Sequence, residues 1–222
     1  MTHLHIADGV LPLWLWLGGL VLAAIVVGGA AFRHRHDRAD RLTLLGALCA
    51  VMLAAMAVPL GPLGHLSFAP VVGILLGPGL GVIASALVNG TLALLGHGGL
   101  TVVGLNTLVL SAGTAVAQPA YLALRRRMTP GRAGIWATVL SLVVSVAALC
   151  AVVALSARNG VPFTALGEGE MHGGTSSGHA LSSMGRFALY SSPFWAIGLV
   201  AESLVTASVL SYLARVRPEL LP

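Results

Sequence analysis

Eight histidines are the residues of this 222-residue chain best suited to chemistry, and they are unevenly placed. His3 and His5 fall in the opening "MTHLHIADGVLP", with Asp8 close behind. His65 closes the glycine- and proline-rich stretch "VPLGPLGHLSF" at 58–68, and His97 opens the "HGG" of "LLGHGGLTVVGLNT" at 94–107. Imidazole is the commonest protein ligand for nickel, cobalt, copper and zinc. A histidine beside a free chain end adds a terminal amine and deprotonatable backbone amides, which close fused chelate rings in one plane. An all-nitrogen square plane suits nickel(II) or copper(II) and disfavours magnesium or calcium.

The elements that must position these groups are apolar. Hydrophobic residues make up 57% of the chain and charged residues 9%, with a mean hydropathy of +0.92. Soluble domains carry roughly 25% charged residues, so most of this surface is expected to face lipid, as an all-α membrane protein. The +5 net charge then speaks to orientation and not to nucleic acid. All twelve cationic residues are arginine, and without lysine the chain has no Walker A motif. Cys49 and Cys150 sit in apolar runs and read as small helix residues rather than a disulfide or ligand pair. The opening residues, with histidine and aspartate in place of a basic region, do not read as a signal peptide.

Seven apolar segments are expected, at about 11–32, 42–60, 66–76, 78–96, 100–123, 134–157 and 191–214, with "GPG" at 77–79 as a turn between the third and fourth. Seven crossings put ten arginines (33, 35, 38, 41, 125, 126, 127, 132, 215 and 217) on one side and leave Arg158 and Arg186 on the other. The positive-inside rule therefore predicts seven transmembrane helices, an N-terminus outside and a cytoplasmic C-terminus. On that plan His34 and His36 are solvated in a cytoplasmic loop, while His3, His5, His65, His97, His172 and His179 collect on the outer face. The chain reads as one membrane domain, 1–222. Residues 1–10 form a metal-binding N-terminus, 11–32 an N-terminal helix, and 42–214 a core with an outer loop at 159–186.

A few polar residues enter the apolar segments. Asn106 is expected about six residues down its helix, roughly 9 Å below the surface, and Asn89 reaches a similar depth on the preceding one. Both are suited either to helix–helix hydrogen bonding or to bracing a site. Glu202 falls near the middle of the last helix, where an ionised acid costs about 3 kcal/mol, so a protonated, hydrogen-bonded role is expected. Gly46, Ala50 and Ala54 form a small-residue stripe on the second helix that would admit a close neighbour.

The stretches "HIADGVLP" at 5–12, "GPLGHL" at 61–66, "HGGLTVVGLNT" at 97–107 and "AESLVTASVLSYLARVRPELL" at 201–221 resemble the CbiM/NikM family. Its members are the substrate-capture (S) components of energy-coupling-factor transporters for cobalt and nickel. The resemblance spans nearly the whole chain, in order. It implies six core helices plus one N-terminal helix, and a single Ni2+ or Co2+ shared by His5 and His65 as transported substrate, with no organic cofactor. Asp8, Asn106 and His97 would orient or brace the ligands. It further implies a prokaryotic inner-membrane location, a transmembrane coupling (T) subunit docked on the Gly46/Ala50/Ala54 stripe, separate ATP-binding subunits, and room for a small accessory membrane protein. The chain would be a transporter subunit and not an enzyme.

Two departures from the family pattern matter. Three residues precede Leu4-His5-Ile6, so three chelates stay open: Met1-Thr2-His3 as written, Thr2-His3 after loss of Met1, or a start at Leu4 read as methionine. The last supplies the new terminal amine and the amide and ring of His5, with His65 as the fourth ligand, and it alone keeps the family register. The loop 159–186 matches no family motif and reads as a connector, with Glu168, Glu170, His172 and His179 offering an antenna for metal as the other reading. The alternative function is a stand-alone metal channel or secondary carrier, which would want ionisable residues along its whole path; Glu202 alone answers that. An intramembrane serine hydrolase built on "TSSGH" at 175–179 would need a strained nucleophile turn, which that loop does not offer. Nickel and cobalt both stay open.

Overall fold

The computed structural model of the protein describes residues 11–57, 65–157 and 177–222, with the backbone alone at 157 and 177–194. All regular structure among the described residues is helical. The helices are α1 (Leu13–His34), α2 (Ala39–Ala57), α3 (Ala69–Leu94), α4 (Val103–Arg125), α5 (Pro130–Ala157) and α6 (Ser177–Val216), followed by a short 3-10 turn at Pro218–Leu220. Among the described residues, six helices are long and apolar enough to cross a membrane. Outward-facing side chains such as Ile25, Phe32, Val51, Trp136, Leu204 and Tyr212 are large and apolar, as expected where hydrocarbon replaces water.

Seven transmembrane helices were expected, the third of them short, and six are found among the described residues, because the segments 66–76 and 78–96 form one element with a break inside it. Gly77 has φ 85° and ψ 175°, a conformation essentially restricted to glycine, and Pro78 follows with no N–H to continue the ladder. The first half, Ala69–Leu76, has eight residues and is only about 12 Å long, too short to span by itself. The two halves turn back on each other. A Cβ on Gly81 would lie 3.6 Å from Gly73 Cα, whereas a straight helix would hold residues eight apart at about 12 Å. Gln118 on α4 ties the turn down, donating from Nε2 to the Ile74 carbonyl at 3.0 Å.

This reversal decides which loops meet. His65, before α3, and His97, after it, stand together at one end of the molecule. Leu11 and Leu15 pack there with Val102 and Leu105, so α1 and α4 both start at that end. Gly79, just past the break, lies against the imidazole of His34 at the end of α1, which marks the opposite end. His34 is thus not simply solvated: it packs on that turn, and its Nδ1 lies 2.9 Å from Asp37 Oδ2. Ile74 and Leu75 cluster near the same end with Tyr121, Leu124, Met128, Leu210 and Leu221. The turns bearing Arg33–Arg41, Arg125–Arg132 and Arg215–Arg217 therefore gather opposite His65 and His97.

α3 is the buried centre, and small residues bring its neighbours close. Gly73 leaves no room for a side chain against the Thr114 carbonyl, and Gly104 none against the α1 backbone at Leu20. Gly113 is pressed against Ser145, and Ser141 Oγ donates to the Gly113 carbonyl at 2.9 Å. Without a hydrophobic drive between helices in lipid, such close packing and interhelical hydrogen bonds hold them together. The last helix begins earlier than expected: Ser177–Arg186, assigned to the outer loop, already belongs to α6.

Candidate metal centre

The site is built on the short irregular stretch His65–Phe68 and the turn after α3. Leu95 and Gly96 close α3 with backbone bonds to Thr91, Leu92 and Ala93, and the His97 N–H donates to the Leu92 carbonyl at 2.8 Å. Gly96 and Gly98 take positive φ, 78° and 88°, so the "HGG" is a tight turn that only glycine forms without strain. It presents His97, exposed, against the half-buried His65. The ring centroids are 5.9 Å apart with planes at 70°. Two imidazoles bound to one ion through nitrogens about 2.0 Å from it hold their centroids about 4.5–6 Å apart, and the separation here falls within that range. Among the described residues no group of three or more histidine, cysteine, aspartate or glutamate side chains could hold a metal. The described part of the site thus offers two imidazoles, and further ligands must come from elsewhere. Residues 65–68 and 95–102 carry no charged side chain, so a cation approaching this end meets no arginine on them.

On the other flank, Ser67 is buried and its backbone N–H donates to Glu202 Oε1 on α6. Glu202 is itself buried, 7% exposed, and its Oε2 has no hydrogen-bond partner among the described residues. The Ser67 hydroxyl accepts from the Ala69 N–H at 3.3 Å, starting α3. Between them Phe68 sits at φ 53° and ψ 6°, the sole non-glycine residue with positive φ among those described. A left-handed aromatic residue costs on the order of 1–3 kcal/mol and persists only where its surroundings hold it.

The sequence-derived residues distribute as follows. His65 and His97 are brought into contact. Asn106, in the first turns of α4, and Asn89, in the second half of α3, are both buried, with the Asn106 N–H bonded to the Val102 carbonyl at 2.9 Å. Gly46 and Ala50 and Ala54 are exposed along α2, and a Cβ on Gly46 would meet nothing within 4 Å. His3, Leu4, His5, Asp8, Glu168, Glu170 and His172 lie outside the described residues, and His179 is described only as backbone of α6. Cys49 and Cys150 are free thiols. The tie between Ser67 and Glu202 was not foreseen: the acid is conspicuous in an apolar helix, but nothing local names a partner 135 residues away.

Comparison with known proteins places this geometry. A family model described as "CbiM: Cobalt uptake substrate-specific transmembrane region" matches residues 5–220. No curated protein matches the chain. Among solved structures, one described as a transition metal transporter superposes with a TM-score of 0.75 at 19% identity, covering 96% of this chain and 93% of its own. Another, described as a truncated transition metal transporter, gives a TM-score of 0.70 at 18% identity, covering 97% of this chain and 98% of its own. At those identities the likeness is one of fold.

Proposed function

The chain belongs to the CbiM family of cobalt uptake substrate-specific transmembrane regions, a multi-pass membrane protein of metal transport, and from that premise we propose that it captures Ni2+ or Co2+ for an energy-coupling-factor importer. The observation that carries the reading is the contact between His65 and His97, at the end away from the arginine-bearing turns. The positive-inside rule assigns those turns to the cytoplasm. The start of α1 and the pair His65 and His97 then face outward, where a cation arrives. On this reading the N-terminus is outside and the C-terminus cytoplasmic, in a prokaryotic inner membrane.

His65 and His5 are the proposed ligands, with His97 orienting the His65 ring. A ligating imidazole is commonly oriented by a neighbouring group, and the edge-to-face contact with His97 restricts how the His65 ring can turn. Asp8 and Asn106 brace the N-terminal turn and the first turn of α4. Stripping water from a divalent cation is repaid only by several well-placed nitrogens, which is why the site gathers them from separate parts of the chain.

No lysine is available to cradle a nucleotide phosphate, so the driving step belongs to ATP-binding partner subunits, joined through a coupling membrane protein that docks on the exposed Gly46/Ala50/Ala54 face. The stand-alone channel or carrier is the competing account. Uptake of labelled nickel and cobalt by cells expressing the chain with and without those partners separates the two. Accumulation above background only with partners is expected, and equal uptake by the chain alone would reject the importer reading.

A further inference from the structure

A buried acid needs a reason to be in an apolar helix. Glu202 lies seven residues past Trp195 in the membrane-spanning part of α6, Trp195–Val216, roughly 10 Å in from that end. What it meets there is backbone: the Ser67 N–H donates to Oε1. Leu66, Phe68, Val71, Val205 and Thr206 enclose the contact. This donor belongs to the stretch that begins at His65 and ends at the left-handed Phe68. Phe68, at the N-cap position of α3, offers no side-chain cap.

We infer that Glu202 is a positioning residue for the metal centre: its carboxyl oxygen, reaching across from the last helix, clamps the Ser67–Phe68 turn and so fixes where His65 presents its ring. The inference rests on the reading that His65 is a metal ligand. The clamp satisfies an N–H that would otherwise be buried unpaired, and it over-determines the left-handed residue from outside the loop. An oxygen acceptor is what the turn requires, not a negative charge. Because the acceptor sits on α6, any shift of that helix relative to α3 moves the loop that carries His65.

The test uses full-length protein in detergent with Ni2+ and Co2+ as probes, by titration calorimetry, and hydrogen exchange at residues 65–69 without metal. Glu202→Leu removes the acceptor and is expected to weaken binding at least about tenfold and to speed exchange at 65–69. Glu202→Gln keeps an amide oxygen in place and is expected to stay within about threefold of the parent, with protected exchange. Should Glu202→Leu fail to fold, Glu202→Asp, whose oxygens fall short by about one bond length, about 1.5 Å, is judged by the same criteria as the leucine variant. Parent-like affinity in the leucine or aspartate variant, or lost affinity without faster exchange, overturns the clamp. If the parent binds neither metal, or His65→Ala binds as the parent does, the metal-site reading fails, and exchange at 65–69 alone then decides whether Glu202 holds the loop.

Discussion

His65 and His97 lie edge to face, centroids 5.9 Å apart, although 32 positions separate them and a 26-residue element, α3, runs between. They meet because the chain reverses at Gly77, so the loop before α3 and the turn after it share one end of the bundle. The stretch His65–Phe68 and the turn at Gly96–Gly98 thereby share one end of the bundle with the start of α4.

His97→Ala is expected to lower nickel and cobalt affinity about 10- to 100-fold, the range for groups that orient a ligand, and to leave a measurable site. His65→Ala is expected to abolish tight binding, since no other histidine lies in 58–68. Titration of the two purified variants side by side checks the order. Equal losses would make His97 a ligand in its own right.

The reversal itself is testable as stability. Gly77→Ala places a Cβ at positive φ and 2.8 Å from Gln118 Oε1, and should cost about 1–3 kcal/mol. Gly73→Ala drives a methyl into the Thr114 backbone and should cost at least as much, because backbone cannot move aside. Gly46→Ala meets nothing within 4 Å and should be neutral or stabilising by a few tenths of a kcal/mol through helix propensity. Thermal unfolding in detergent ranks the three, and an unaffected Gly77→Ala would mean the break is not required.

Much of this was legible in the sequence, and the reason differs by element. The long apolar runs gave α1, α2, α4 and α5 within a few residues, since hydrophobicity over 20 positions has few other meanings. "GPG" was readable as a turn at Gly77, but not that the piece before it would be a half-length helix. Apolar runs report burial, and protein and lipid bury equally well. The start of α6 was missed because Ser177–Arg186 is rich in serine and polar side chains, which favour turns in isolation. In the site, the "HGG" turn and the two loop histidines were visible from composition and charge placement. The Ser67–Glu202 tie was not, because a backbone donor leaves no residue-type signal.

Docking on a coupling subunit predicts a bulky residue will be tolerated by the fold and not by the assembly. Ala50 is exposed on α2 between Gly46 and Ala54. Ala50→Trp should leave metal affinity within about twofold of the parent while blocking the close helix approach that small residues permit. Co-purification with tagged coupling subunit reads the result, and an intact complex from the tryptophan variant would move the docking face elsewhere.

The metal centre itself is tested most directly by anomalous scattering. Crystals of the full-length protein grown with nickel, and separately with cobalt, are measured on either side of each metal's absorption edge. One peak is expected, within about 2.0–2.2 Å of an imidazole nitrogen of His65 and beside the His97 ring, at the end opposite Arg125–Arg132. No peak there, or one bound away from His65, would contradict the account.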